Sequence, residues 1–121
     1  MTFSIIARCT RTGQFGMAVS SSSPAVASRC AFARAGVGVV ATQNITDPSL
    51  GPKGLELMAR GASAELCLQT LIAQTPYAAY RQLSVIDCHG HTTQWSGAAT
   101  LGVHAMTKHL NVACAGNMLA N

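Results

Sequence analysis

The sequence predicts an α+β fold, and three observations carry that prediction. Two segments read as antiparallel hairpins, one near each end of the 121-residue chain. The helical patterns fall together in one block between them. No strand–helix–strand alternation runs through the chain, so a parallel, doubly wound sheet does not fit. A chain of this length is one domain or part of one. With 49% hydrophobic and 10% charged residues it belongs with proteins that build a large core.

The first hairpin begins at once. Phe3, Ile5, Ala7 and Cys9 alternate with Ser4 and Arg8, which predicts a strand with its apolar side formed by the odd positions. "TRTGQ" is a polar turn, and Phe15, Met17 and Val19 resume the period of two up to "SSSSP". "RCAFARAG" reads as a short helix or a loop. "VGVVATQ", small and β-branched, reads as a buried strand over 37–43.

"NITDPSLGPKG" carries loop chemistry, with Pro52 placed for the first turn of a helix that closes on Gly61. "SAELCLQTLIAQTP" is the clearest helix. Ser63 caps it, Glu65 lies in its first turn, Leu66, Leu68, Leu71 and Ile72 form its apolar face, and Pro76 stops it. "RQLSVID", the turn "CHGH" and "TTQWSG" make the second hairpin. "LNVACAGNML" reads as a last strand leading into a new element. Two helices cover one face of a sheet and leave the other bare. A single domain over 1–121, incomplete without a downstream segment or a partner chain, is therefore expected.

Charge and cysteine usage narrow the function classes. The formal net charge is +4, but the eight Lys and Arg residues form no run and no aromatic residues interleave with them. That pattern argues against a nucleic-acid surface and fits a pocket for a small anionic molecule. Five cysteines, with no CxxC and no leader pattern before them, read as reduced thiols in a cytoplasmic protein. No apolar stretch is long enough for a membrane span. The cluster Cys88, His89 and His91 sits in a hairpin turn and does not close a zinc site, so no metal is expected there. "AGVG" is too short and wrongly placed for a nucleotide loop.

Thr2 admits two readings. It is either the first β-branched residue of a strand or, once Met1 is removed, an amino-terminal residue carrying both a nucleophilic hydroxyl and a free α-amine. Such an amine titrates near neutrality and serves as general base, so one residue supplies both parts of the chemistry. Around it, Ser21 and Ser22 end the second strand of the hairpin, where an antiparallel register brings them beside Thr2. They are candidate proton relays, or polar residues that merely end a strand. Gln43 and Asn44 follow the buried strand and are candidates for the pocket lining or an oxyanion hole. Arg81 and Gln82 open the strand after Pro76. Arg81 is a candidate clamp for a substrate carboxylate, or a surface arginine.

Seven stretches resemble one known family: "TFSIIAR", "GMAVSSS", "ARAGVGVVATQN", "GPKGLELMARGASAE", "RQLSVID", "SGAATLG" and "AGNMLAN". Together they run from Thr2 to Asn121 and are similar to the DUF1028 family, whose members resemble N-terminal nucleophile (Ntn) hydrolases. The resemblance implies a four-layer αββα sandwich in longer proteins, with a threonine at the position of Thr2 opening the first strand. It implies hydrolysis of an amide-type bond without a cofactor, and it adds Asn117 as an amide candidate. The expectation is therefore an amidohydrolase of a small, anionic substrate. Two alternatives accompany it. The chain is the upstream subunit of a self-cleaving enzyme whose nucleophile follows Asn121, or it is a non-catalytic binding or structural domain working in an oligomer.

Overall fold

A computed structural model describes residues 1–121. Eight strands form two four-stranded antiparallel sheets; a short helix precedes the third strand, and two longer helices lie between the fourth and fifth. The first sheet has the order β2-β1-β8-β7, from strands β1 (Thr2–Arg8), β2 (Phe15–Ser21), β7 (Val103–His109) and β8 (Val112–Leu119). The second has the order β3-β4-β5-β6, from β3 (Ala31–Arg34), β4 (Gly38–Gln43), β5 (Gln82–Asp87) and β6 (Thr92–Ser96). The α+β class and both predicted hairpins are present. No helix is long and apolar enough to cross a membrane.

The sheets stack face to face, and the helices lie on the far side of the second sheet. Between sheet and helices sits the larger core, in which Val40, Leu83 and Val85 meet Leu50, Leu55 and Met58 of α2 (Leu50–Ala59) and Cys67, Leu68 and Leu71 of α3 (Ala64–Gln74). Close approach is needed here. A Cβ on Gly51 would fall 2.1 Å from Phe32 Cδ2, and one on Gly54 would press on Val40, Leu71 and Cys67. Two glycines in one helix cost about 1 kcal/mol each in propensity, and the packing they permit offsets it. Pro52 falls in the first turn of α2, where a missing N–H costs nothing. Ser63 caps α3 by accepting from Leu66 N at 3.1 Å.

The core between the sheets is smaller: Ile6, Val39, Ala41, Ile86 and Ala113, with Phe15 and Met17 against it. β4 and β5 are buried along their whole length, as strands covered on both faces should be.

Four sequence expectations need correction. The buried side of β1 is the even one, Ser4 and Ile6, while Phe3 and Ile5 stand 49% and 41% exposed on the outer face. The hairpin register places Met17 opposite Ile6 and Val19 opposite Ser4, so the apolar row of β2 faces inward with the even residues. "RCAFARAG" divides into a one-turn helix α1 (Ala27–Cys30) and the edge strand β3. β7 has no counterpart in the sequence reading, because it is exposed on both faces and carries no apolar period. On α3, Leu66 is 54% exposed, and Ala64, Cys67, Leu68 and Leu71 form the buried stripe.

The outer face of the first sheet has no covering layer. Phe3, Ile5, Ala18, Ala105, Cys114 and Gly116 line an open, mostly apolar groove of about 480 Å³ there.

Candidate active site

β1 lies between β2 and β8, and its first residue faces the space between the sheets. Thr2 pairs with Ser21 on one side and Asn117 on the other. Because Thr2, Ser4 and Ile6 share a face, the three side chains Ser21, Thr2 and Asn117 form a row across one end of the sheet. Thr2 Oγ1 is 2.8 Å from Ser21 Oγ, which also accepts from Ser23 N at 3.1 Å. Ser22 lies outside this row. Its hydroxyl accepts from the Met1 ammonium at 3.2 Å, and its own N–H donates to Met1 O at 3.1 Å.

Beneath the row, the second sheet contributes a buried amide cluster. Gln82 Nε2 donates to Gly116 O at 3.0 Å and reaches Ser96 Oγ at 3.4 Å. Gln82 Oε1 accepts from Gln43 Nε2 at 2.7 Å and from Asn117 Nδ2 at 3.1 Å. Gln43, Gln82 and Asn117 are each at most 3% exposed. The cluster therefore ties the ends of β4, β5 and β8 together directly under Thr2. Antiparallel pairing of Gln43 with Gln82 and stacking of the two sheets bring this about. Neither is visible in the local pattern of one strand.

Three loops converge at the same end. Asn44 Nδ2 donates to Tyr80 O, and Asn44 Oδ1 accepts from Leu101 N at 3.3 Å. Leu101 O in turn accepts from Met118 N at 2.9 Å, which links the ends of the two sheets. Asn44, Ile45 and Met118 all take positive φ, at 62°, 49° and 50°. For β-branched Ile45 this is a strained backbone of order 1–3 kcal/mol, held by its surroundings. Arg81 is one of those surroundings. Its guanidinium donates through Nη1 to Ile45 O and through Nη2 to Pro76 O at 3.0 Å, and it is only 6% exposed. No carboxylate forms a salt bridge with it. The Asp47 carboxyl is held below the usual range chiefly by the Ser49 hydroxyl, which donates to it at 2.7 Å, and by the Ser49 N–H, with the charge of Arg81 a smaller contribution.

The site contains two residues the sequence reading missed. Ser96 Oγ donates to Thr100 Oγ1 at 3.0 Å, and Thr100 Oγ1 donates to Gly97 O at 2.7 Å. Both lie in "SGAATLG", so that stretch held the signal, but nothing in its spacing pointed to Gln82.

The "CHGH" turn is at the other end of β5, about 17 Å away at 3.3 Å per residue. Asp87 organises it by accepting from Ala64 N, His89 N and His91 N at 3.0–3.1 Å. Burial raises the Asp87 pKa, but these N–H groups and His91 outweigh it and hold the carboxyl below its ordinary value.

No curated protein matches the chain. A crystal structure of protein SPO2555 from Silicibacter pomeroyi, a DUF1028 protein, superposes with a TM-score of 0.93 at 26% identity. The match covers 99% of this chain and 56% of that one, so the chain spans little more than half the length of this solved relative. The family model described as a family of unknown function (DUF1028) matches residues 2–121, and the chain belongs to that family.

Proposed function

We propose that this fold is the amino-terminal part of an Ntn-type amidohydrolase and that Thr2 is its nucleophile. One observation carries the reading: Thr2 opens an inner strand of its sheet, and its hydroxyl faces the inter-sheet space with Ser21 Oγ at 2.8 Å. With Met1 removed, the Thr2 α-amine takes the hydroxyl proton, directly or through Ser21, as Oγ attacks the substrate carbonyl carbon. The C–N bond breaks as the resulting ammonium returns the proton to the leaving nitrogen. Water, deprotonated by the same amine, then cleaves the ester and restores Thr2.

The oxyanion falls to backbone N–H groups at this end of the sheets. Gln43 is sealed at 1% exposure, and both amide atoms of Asn44 already bond to the loops. Arg81, with no anionic partner, biases the site towards a small anionic substrate through its field rather than by direct contact. No cofactor enters this scheme. The bare outer face of the first sheet is where a fourth, helical layer docks, from a downstream segment or a second chain, or where copies associate. A reducing, cytoplasmic setting goes with five unpaired cysteines.

A second reading has its own observation. Met1 bonds to Ser22 through its ammonium and its carbonyl, and while Met1 is attached the Thr2 nitrogen is a peptide nitrogen with no free amine. On this reading the chain is a non-catalytic binding or structural domain working in an oligomer, or the upstream subunit of a self-cleaved enzyme whose nucleophile follows Asn121. Intact mass and turnover decide between the readings, with amine release from a panel of small carboxylate-bearing amides as the assay. We expect the active form to lack one methionine. Thr2→Ser should keep part of the turnover. Thr2→Ala should lose on the order of 10⁶-fold, as removal of a nucleophile does. An active preparation that keeps Met1, or a near-normal Thr2→Ala variant, refutes the nucleophile.

A further inference from the structure

The amide cluster fixes its own orientation, and that fixes what the site offers a ligand. Gly116 O is a carbonyl and can only accept, so the Gln82 atom 3.0 Å from it must be Nε2. Gln82 Oε1 is then the atom facing Asn117 and Gln43, and it can only accept. Each of those residues must therefore turn its nitrogen towards Gln82. What remains of Asn117 is its oxygen. Oδ1 has no hydrogen-bond partner in the protein. Only Gln43 Oε1 and Arg81 Nε are buried side-chain atoms without a partner, so Asn117 Oδ1 still reaches solvent although its residue is 3% exposed. It belongs to the residue directly opposite Thr2, on the same face of the sheet.

We infer that Asn117 Oδ1 is an acceptor for an N–H group of the ligand, of primary-amide or ammonium type, and not a donor to an oxyanion. This rests on the proposal that ligand binds beside Thr2, and it gives that ligand a polarity: an N–H faces β8 while the reacting carbonyl meets Thr2 Oγ1. The free α-ammonium of a processed Thr2 has the same chemistry and is the other source of such a donor. In the chain that carries Met1, the Thr2 nitrogen is a peptide nitrogen, so this source is absent and the two separate cleanly.

The experiment uses the Met1-bearing chain, ¹⁵N-labelled, titrated separately with acetamide, methylammonium chloride and sodium acetate at constant ionic strength. Acetamide and methylammonium should shift the Asn117 side-chain amide and the backbone of Thr2, whereas acetate should shift neither. Asn117→Ala should weaken both donor probes about tenfold, the order of one lost hydrogen bond. Its fold is checked by the Gln43 and Gln82 side-chain resonances, since Gln82 keeps its bonds to Gly116 and Gln43. In Thr2→Ala the donor probes should still shift the Asn117 amide more than acetate does, whatever the overall affinity, so loss of the nucleophile reading and loss of this one give different results. Acetate moving the Asn117 amide more than acetamide does would overturn the inference. So would donor-probe affinities that are equal with and without the Asn117 side chain. The order of the probes on the unmodified chain settles the polarity even if the variant misfolds.

Discussion

The two sheets of this protein each have four antiparallel strands, yet they live in different surroundings. The second sheet has the first sheet on one face and α2 and α3 on the other, and β4 and β5 are buried at every position. The first sheet has one covered face. On β1 the neighbours Ile5 and Ile6 show the contrast directly, at 41% and 1% exposure. The lesson is that apolar alternation reports two faces of different chemistry without saying which one is inside. Phe3 and Ile5 are the larger apolar row at the start of β1, and they point out. Such a row is what a strand would carry if its outer face were covered, as proposed above.

The buried sheet should be the more sensitive to a change in its polar groups, and fully buried Gln82 is its most critical position. Gln82→Leu keeps the volume but strands Gly116 O, Asn117 Nδ2 and Gln43 Nε2 in a buried place. Three unsatisfied groups at about 1–3 kcal/mol each, partly relieved by relaxation, amount to roughly 3–6 kcal/mol. That is a large share of a typical domain's total of about 5–15 kcal/mol. Urea unfolding followed by circular dichroism measures it. A loss below about 1 kcal/mol would mean that the cluster is open to water and that the two sheets differ less than their burial indicates.

Apolar truncation comes next. Ile6→Ala removes a fully buried side chain from the small inter-sheet core and should cost about 2–5 kcal/mol by the same assay. That core has only five members, two of them alanines. Little neighbouring bulk can shift to fill the gap, so the upper half of the range is expected.

How much of this was legible differs between the regions for physical reasons. The first hairpin, the helix pair with its Ser63 cap, the buried run of β4 and the second hairpin all write themselves as local period, cap or turn. The contact between Thr2 and Ser21 follows from the register of one hairpin, so it too could be read. β7 could not be, because a strand exposed on both faces has no reason to alternate. The pairing of β1 with β8 joins residues over a hundred positions apart, and only family resemblance put Asn117 near Thr2. The bonds from Gln82 to Gly116, Asn117 and Ser96 depend on how the strands pair and the sheets stack, which no single strand encodes. Arg81 was weighed as a carboxylate clamp or a surface residue. It sits buried with its terminal nitrogens on the carbonyls of Ile45 and Pro76, loop positions to which the strand pattern of the sequence does not point.

A third prediction uses pH to sharpen the same contrast at the far end of the buried sheet. The Asp87 carboxyl is held below its ordinary value in the fold. A depressed folded pKa adds stability above the unfolded value, about 3.9, and that stability is lost as pH falls through the lower folded value. Stability should therefore drop from about pH 4 downwards. Asp87→Asn should flatten that acid limb and lower the neutral-pH plateau by about 1–2 kcal/mol, since an amide cannot accept with both atoms from Ala64, His89 and His91. Some acid sensitivity will survive, because Asp47 and Glu56 also lie below their usual values, chiefly through Ser49 and Arg60. Urea midpoints across pH 2–7 on both proteins give the difference, and parallel curves would remove Asp87 from the explanation.

The smallest expected effect is the most informative about the bare face. Ile5→Thr changes a residue of high strand preference for another, on a surface that already meets water. In this chain it should alter stability by no more than about 0.5 kcal/mol, against several for its neighbour Ile6. If copies associate through the apolar groove that Ile5 shares with Phe3, Ala18 and Cys114, the same substitution should reduce self-association at high concentration, read by sedimentation velocity. In any assembly that covers the face, the cost of Ile5→Thr should rise to about 1–3 kcal/mol, because the side chain then loses a buried apolar contact and gains a hydroxyl in need of a partner. The size of the Ile5 effect, measured with and without such a partner, is therefore a direct gauge of whether the first sheet is a surface or an interior. An Ile5 variant as damaged as the Ile6 variant in the isolated chain would show that this face is already buried, and the contrast between the sheets would disappear.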